Sequence, residues 1–183
     1  MQIQPVILAG GKATRFGGRF KGLERVGGVR MLDRLADDMT QAFGRAPLLV
    51  ANVPEAGEWR PDCTVVADLR PDLGAVGGIY TAVVAGPAPV VVAAWDMPFV
   101  SVALLRRLAE GLATADAMLP ASDGRRGVEP LCAAYGPACR DAIERAVAEA
   151  DLRAIGFHRF ARVDTLSVDQ VRAFLYGDRK SVV

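Results

Sequence analysis

Histidine is all but missing from this sequence: His158 is the only one in 183 residues. His158 is too isolated in the sequence to suggest a metal cluster or a Ser–His arrangement, and a structural or surface place is expected for it. Cysteine is scarce too. Cys63, Cys132 and Cys139 are an odd number without CxxC spacing, so neither a disulfide framework nor a zinc site follows. Cys132 lies in an apolar run and Cys139 on a helical pattern, which makes both expected buried thiols. Neither sign of charge dominates: 22 basic against 21 acidic residues leave a formal net charge of +1, no basis for non-specific nucleic-acid binding. No apolar run is long enough to cross a bilayer, and the first residues lack the order of a signal peptide, so a cytoplasmic chain is expected. Two familiar phosphate motifs are absent as well. Without GxGxxG opening the first helix, a dinucleotide-binding Rossmann domain is disfavoured; without GxxxxGK[ST], so is a P-loop NTPase. No internal repeat, low-complexity tract or linker breaks the chain, and one domain over residues 1–183 is expected.

What the sequence does have is a concentrated loop near its start. An apolar run over residues 3–8 reads as a buried strand, and Leu8-Ala-Gly-Gly-Lys-Ala-Thr-Arg-Phe-Gly-Gly-Arg-Phe-Lys21 follows it. Gly10, Gly11, Gly17 and Gly18 provide backbone that a ligand can approach closely. Lys12, Arg15, Arg19 and Lys21 bring positive charge to the same place. Amides and cations directly after a strand are the chemistry of a phosphate grip. A basic surface loop of no function is the plainer alternative, but the position at the carboxyl end of a first strand is where open α/β sheets bind ligands.

The rest of the chain supplies such a sheet. Further strands are expected at residues 47–51, 63–67, 89–94, 117–120 and 131–135, with a last edge strand at 160–163. Met31, Leu32, Leu35, Met39 and Phe43 recur at helical spacing before Gly44. Other helices follow a glycine-rich turn at 74–78, begin at Ser101, span about 137–149, and carry Val168, Val171 and Phe174. Strand and helix alternate nearly throughout, which predicts a three-layer α/β/α architecture around a mostly parallel sheet. Residues 54–62 read only as a polar excursion.

Within this frame, Asp96 follows the most apolar strand, so its carboxylate should emerge at the same sheet edge as the loop. A carboxylate facing phosphates is a natural ligand for Mg²⁺, which takes one or two carboxylates plus phosphate oxygens and water. The competing role, a cap for the helix near 101, is disfavoured because Asp96 comes several residues too early. Asn52 and Asp68 end the two preceding strands, and position alone does not separate base or ribose contact from turn capping. Glu129 and Arg153 are read as solvated surface.

The opening stretch resembles the signature of the MobA-type nucleotidyltransferases, the molybdenum cofactor guanylyltransferases, within the nucleotide-diphospho-sugar transferase-like folds. Ala51-Asn52 resembles the segment in which that family's asparagine contacts guanine. Asp68 followed by Gly74-Ala-Val-Gly-Gly78 resembles its aspartate and Gly-Pro-Leu-Ala-Gly turn. Trp95-Asp96-Met-Pro-Phe99 resembles its Cys-Asp-x-Pro-Phe segment, whose aspartate holds Mg²⁺. Glu129-Pro130-Leu131 and Val163-Asp-Thr165 resemble later segments, in order and at compatible spacing. The sequence departs from the pattern at Phe16 for methionine, Ala75-Val76 for Pro-Leu, Asp164 for asparagine and Ser167-Val168 for Pro-Glu. The last two fall near the family's pterin side, so they bear on the acceptor more than on nucleotide transfer.

The resemblance implies a Rossmann-like nucleotidyltransferase fold and transfer of GMP from GTP to the terminal phosphate of molybdopterin, with Mg²⁺ as cofactor. It implies nucleotide contacts from Leu8, Ala9, Gly10, Gly11, Lys21, Asn52, Asp68 and Asp96, catalytic roles for Arg15, Lys21 and Asp96, and metal binding by Asp96. It leaves room for transient contact with cofactor-biosynthesis or molybdoenzyme partners, and calls for neither nucleic acid nor membrane. Two rivals stay open: a cytidylyl- or sugar-nucleotidyltransferase with another acceptor, and a non-catalytic nucleotide-binding homologue.

Overall fold

Neighbouring residues of the central strands face two different cores, and that alternation decides the architecture. The computed structural model of the chain describes residues 1–10, 20–124 and 126–177. In β1 (Gln4–Leu8), Ile7 belongs to one apolar cluster while Val6 and Leu8 belong to the other. In β6 (Val90–Ala94), Val91 and Ala93 go with the first cluster and Val90 and Val92 with the second. Both strands are buried along their whole length, as expected of parallel strands covered on two faces.

Seven strands form the sheet. β1 pairs in parallel with β4 (Leu48–Val50) on one side and with β6 on the other, and β4 carries β5 (Thr64–Val66) at the edge. Beyond β6 come β8 (Cys132–Tyr135), β7 (Ala117–Pro120) and β9 (Val163–Leu166). β8 runs antiparallel to both of its neighbours, so the other six strands point the same way. A hairpin of β2 (Arg25–Val26) and β3 (Val29–Arg30) lies outside the sheet.

The helices divide between the faces. α1 (Met31–Phe43) and α4 (Val102–Gly111) pack on the first cluster, with α6 (Val168–Gly177) adding the half-buried Val171 and Phe174. α3 (Ala75–Ala85) and α5 (Cys139–Ala148) pack on the second. This is the predicted three-layer α/β/α architecture around a mostly parallel sheet. In α1 the spacing of Leu32, Leu35, Ala36 and Met39 puts four fully buried side chains on one stripe. Each of the larger three contributes about 1.5–3 kcal/mol by leaving water. No helix of the described residues is long and apolar enough to cross a membrane.

Ser101 caps α4, its Oγ accepting the Leu104 amide at 3.1 Å, which removes the capping role considered for Asp96. The polar excursion contains a short helix, α2 (Ala56–Trp59), whose Trp59 is buried. The last edge strand is displaced from the expected 160–163. Phe160 instead ends a 3₁₀ turn, Gly156–Phe160, with the guanidiniums of Arg145 and Arg159 over its ring at 4.3 and 4.6 Å. The ring also packs on the second cluster, and the 3₁₀ turn that carries it delays pairing with β7 until Val163.

All three cysteines are free and buried. Burial pushes Cys63 up to about 11 and Cys132 and Cys139 up to about 12, so none is a thiolate nucleophile at neutral pH. His158 lies edge-on to Phe157 at 4.7 Å, and its buried Nε2 finds no partner among the described residues. Burial lowers its pKa below the ordinary 6.5. A lowered folded-state pKa means that the unfolded chain takes up the proton first, so this contribution is whole above pH 6.5 and is lost as pH falls through the folded value. Urea unfolding at pH 7.5 and 5.5 is therefore expected to show lower stability at 5.5, and His158→Gln is expected to narrow the difference.

Candidate functional site

Three strand ends meet where the chain changes direction across the sheet. From β1 the chain goes on to β4 on one side and later returns to β6 on the other. The strands stay tied to their last residues: the Ala9 amide donates to Val50 O at 2.9 Å and the Trp95 amide to Leu8 O at 3.2 Å. Beyond those bonds the backbone parts, and a cavity of about 650 Å³ opens between Leu8, Val50 and Ala94. Its size suits a small-molecule ligand.

The walls bring together most of the residues singled out from the sequence. Leu8, Ala9, Gly10, Lys21, Asn52, Asp68 and Asp96 all line this one cavity. Gly11 and Arg15, with the remainder of the glycine loop, lie outside the described residues. The second glycine-rich turn joins the wall through Gly74, Ala75 and Gly78. Gly74 has φ +61° and ψ −134°, a conformation effectively closed to other residues, and it turns the chain so that the start of α3 borders the cavity.

Among the described residues the cavity wall carries the charges of Lys21, Asp68 and Asp96. Lys21 Nζ lies 3.9 Å from Asp96 Oδ2 at the mouth, with the two side chains 49% and 41% exposed. Asn52 and Asp68, which position alone could not assign, both cap and line. Asn52 Oδ1 accepts the Asp68 amide at 2.8 Å, leaving the Asn52 amide NH₂ as a donor for a ligand. Asp68 Oδ1 accepts the Arg70 amide at 2.9 Å and the Thr81 hydroxyl at 2.8 Å. Among the described residues no three histidine, cysteine or acidic side chains converge as a metal cage. A single exposed carboxylate suits a cation that shares its coordination with phosphate oxygens and water.

Lys21 and Asp96 are held by aromatic packing that the sequence did not announce. Trp95 stacks on Trp59 with centroids 5.1 Å apart and planes 28° from parallel, and Phe20 packs on both at 6.2 and 4.9 Å. Phe20 and Gly22 flank Lys21 in sequence, and Trp95 precedes Asp96. Trp59 is fixed in turn by Arg30, which donates to its carbonyl at 2.8 Å and forks onto Asp33 at 2.7 Å. Arg60 clamps the same segment to α1 through Asp37 at 2.7 Å and to Asp62 at 2.6 Å, contacts that raise its own pKa and lower that of Asp62. The available sequence signal was a large aromatic in an otherwise polar stretch.

Other residues considered earlier fall elsewhere. Glu129 uses Oε1 on the Leu131 amide at 3.2 Å. Asp164 and Thr165 are exposed on β9 at the far edge of the sheet, and neither lines the cavity. Arg153 pairs with Asp151 at 2.7 Å and holds that carboxyl down at about 2. These two, with Arg159 and Glu149 at 2.5 Å, border an open groove whose charges answer one another.

A cavity of this kind, at the carboxyl edge of an open sheet and at its switch point, defines an α/β protein of the class that binds small ligands at the strand ends. Comparison with known proteins turns the class into a family. Residues 5–163 match the MobA-like NTP transferase domain, and the chain belongs to that family. It is 30% identical over 171 residues to the molybdenum cofactor guanylyltransferase of Desulfosudis oleivorans, covering 92% of this chain and 82% of that one. It is 33% identical over 176 residues to a probable molybdenum cofactor guanylyltransferase of Pelotomaculum thermopropionicum, covering 94% and 82%. Among solved structures it resembles molybdopterin-guanine dinucleotide biosynthesis protein A from Archaeoglobus fulgidus, with a TM-score of 0.74 and 26% identity over 93% of this chain and 86% of that chain.

Proposed function

We propose that this chain is a nucleotidyltransferase that moves GMP from GTP to the terminal phosphate of molybdopterin, forming the molybdopterin guanine dinucleotide cofactor. The observation that carries the reading is the placement of Lys21 and Asp96 3.9 Å apart on one cavity at the switch point of the sheet. Membership of the MobA-like family and relatives named molybdenum cofactor guanylyltransferase support it. The unit that does this is one domain spanning residues 1–183, and the cytoplasm is where we place it.

In the reaction an oxygen of the acceptor phosphate forms a bond to the α-phosphorus of GTP. The bond from that phosphorus to the bridging oxygen breaks, and pyrophosphate leaves with the electron pair. Such a transfer asks a protein mainly to position two anions and to offset their charge. The Gly10 backbone, with Gly11 and Arg15, receives the triphosphate. Lys21 stands by the α-phosphate, where negative charge builds. Asp96 would hold Mg²⁺, which when bound offsets charge on the phosphate oxygens and on departing pyrophosphate. Asn52 and Asp68 select guanine by hydrogen bonds whose loss would leave polar groups unpaired.

The test is incubation of the protein with Mg²⁺, molybdopterin and each nucleoside triphosphate in turn, with release of pyrophosphate as the readout. Release with GTP that depends on molybdopterin is expected. Turnover of CTP with none of GTP would replace this reading by the cytidylyl one, and no turnover of any triphosphate would favour the non-catalytic homologue.

A further inference from the structure

Thr81 is fully buried and lies on α3, three residues beyond the glycine-rich turn that borders the cavity. Threonine in a helix commonly returns its hydroxyl to the carbonyl one turn back, as Thr40 does to Ala36 O at 2.8 Å in α1. Thr81 instead directs its hydroxyl out of its helix. Its Oγ1 accepts the Leu69 amide at 2.9 Å and donates to Asp68 Oδ1 at 2.8 Å. A hydroxyl has one proton to give, and the incoming Leu69 amide occupies a lone pair, so the remaining bond is aimed at the carboxylate.

The effect on Asp68 is asymmetric. Oδ1 takes two donors, the Thr81 hydroxyl and the Arg70 amide at 2.9 Å, and the backbone of the same residue is tied to Asn52 at 2.8 Å. Among the described residues no donor engages Oδ2. A half-buried carboxylate bordering the cavity is thus fixed through one oxygen and keeps the other as an acceptor. Guanine carries a 2-amino donor, and an ionised carboxylate is an acceptor only.

We propose that Thr81 is a positioning residue for base selection: it sets the carboxylate of Asp68 so that the second oxygen reads the 2-amino group of guanine. The inference rests on the proposed use of Asp68 in selecting the base, and the two can fail separately. The experiment compares GTP with ITP, which lacks that amino group, as kcat/KM for pyrophosphate release in the wild type, Asp68→Asn, Thr81→Val and Thr81→Ser. Thr81→Val keeps the shape and removes the hydroxyl; Thr81→Ser keeps the hydroxyl. Because each ratio is taken on a single preparation, a partly unfolded variant does not distort it.

The expected result is a preference for GTP that falls about tenfold in Thr81→Val, the scale of one lost hydrogen bond, falls at least as far in Asp68→Asn, and persists in Thr81→Ser. A preference lost in Asp68→Asn but intact in Thr81→Val would overturn the role of Thr81 and leave the reading of Asp68 standing. A preference intact in Asp68→Asn would overturn both.

Discussion

Asp96→Ala is expected to lower Mg²⁺-dependent pyrophosphate release by at least about a hundredfold, the usual loss when one group that stabilises developing charge is removed. Lys21→Ala is expected to cut kcat by a similar factor while weakening GTP binding far less, because its ammonium is assigned to charge that builds during transfer. The two side chains are 41% and 49% exposed and 3.9 Å apart. An ion pair so open to water contributes about 0–1 kcal/mol to folding, so both variants are expected to unfold close to the wild-type urea midpoint. Pyrophosphate release and calorimetric GTP titration, run beside urea unfolding, separate chemistry from stability. Unchanged Mg²⁺-dependent turnover in Asp96→Ala would remove the metal assignment. In Lys21→Ala, a defect confined to GTP binding would remove the transfer role.

Gly22→Ala is expected to be nearly as damaging, for a reason of packing. A Cβ at residue 22 would stand 2.5 Å from Trp95 Cδ2 and 2.8 Å from Cγ, inside the contact surface of the indole. Trp95 cannot simply retreat, since Trp59 is stacked on it at 5.1 Å and both are buried. The 3₁₀ turn Lys21–Leu23 must move instead, and Lys21 with it. A displacement of about 1 Å at a catalytic group costs roughly a hundredfold in rate, and overpacking of this sort costs about 1–3 kcal/mol. The measurements are kcat, the KM for GTP and urea unfolding. A Gly22→Ala protein with wild-type kcat would mean that Lys21 does not depend on this turn.

The legible parts of the site were those carried by backbone position. Residues 89–94 are so continuously apolar that the strand, and hence the place of Asp96 at its end, could be read directly, and β6 has that limit. The same logic put Asn52 and Asp68 at strand ends. It could not show that one caps the other, because that bond joins residues 16 apart through the register of β4 and β5. Trp59 was hidden by its polar neighbours: its burial comes from long-range contact with Trp95 and from the clamp of Arg60, neither of which leaves a periodic trace. Thr81 was obscured differently. It occupies an ordinary position in an apolar helix, and only the arrival of residues 68 and 69 beside it gives its hydroxyl a task. The edge strand was misplaced by a few residues because Phe160 belongs to a 3₁₀ turn, whose short length leaves no periodic trace in the sequence.

The stacking of Trp59 on Trp95 has an optical consequence. These are the only two tryptophans of the chain, and their rings are close enough to share excitation. Trp95 also forms part of the cavity wall. The protein's indole absorption and emission therefore originate beside the place where a base and its phosphates would lie. With no third indole to dilute the signal, the near-ultraviolet spectrum is a native label on that cavity, carried without any added dye.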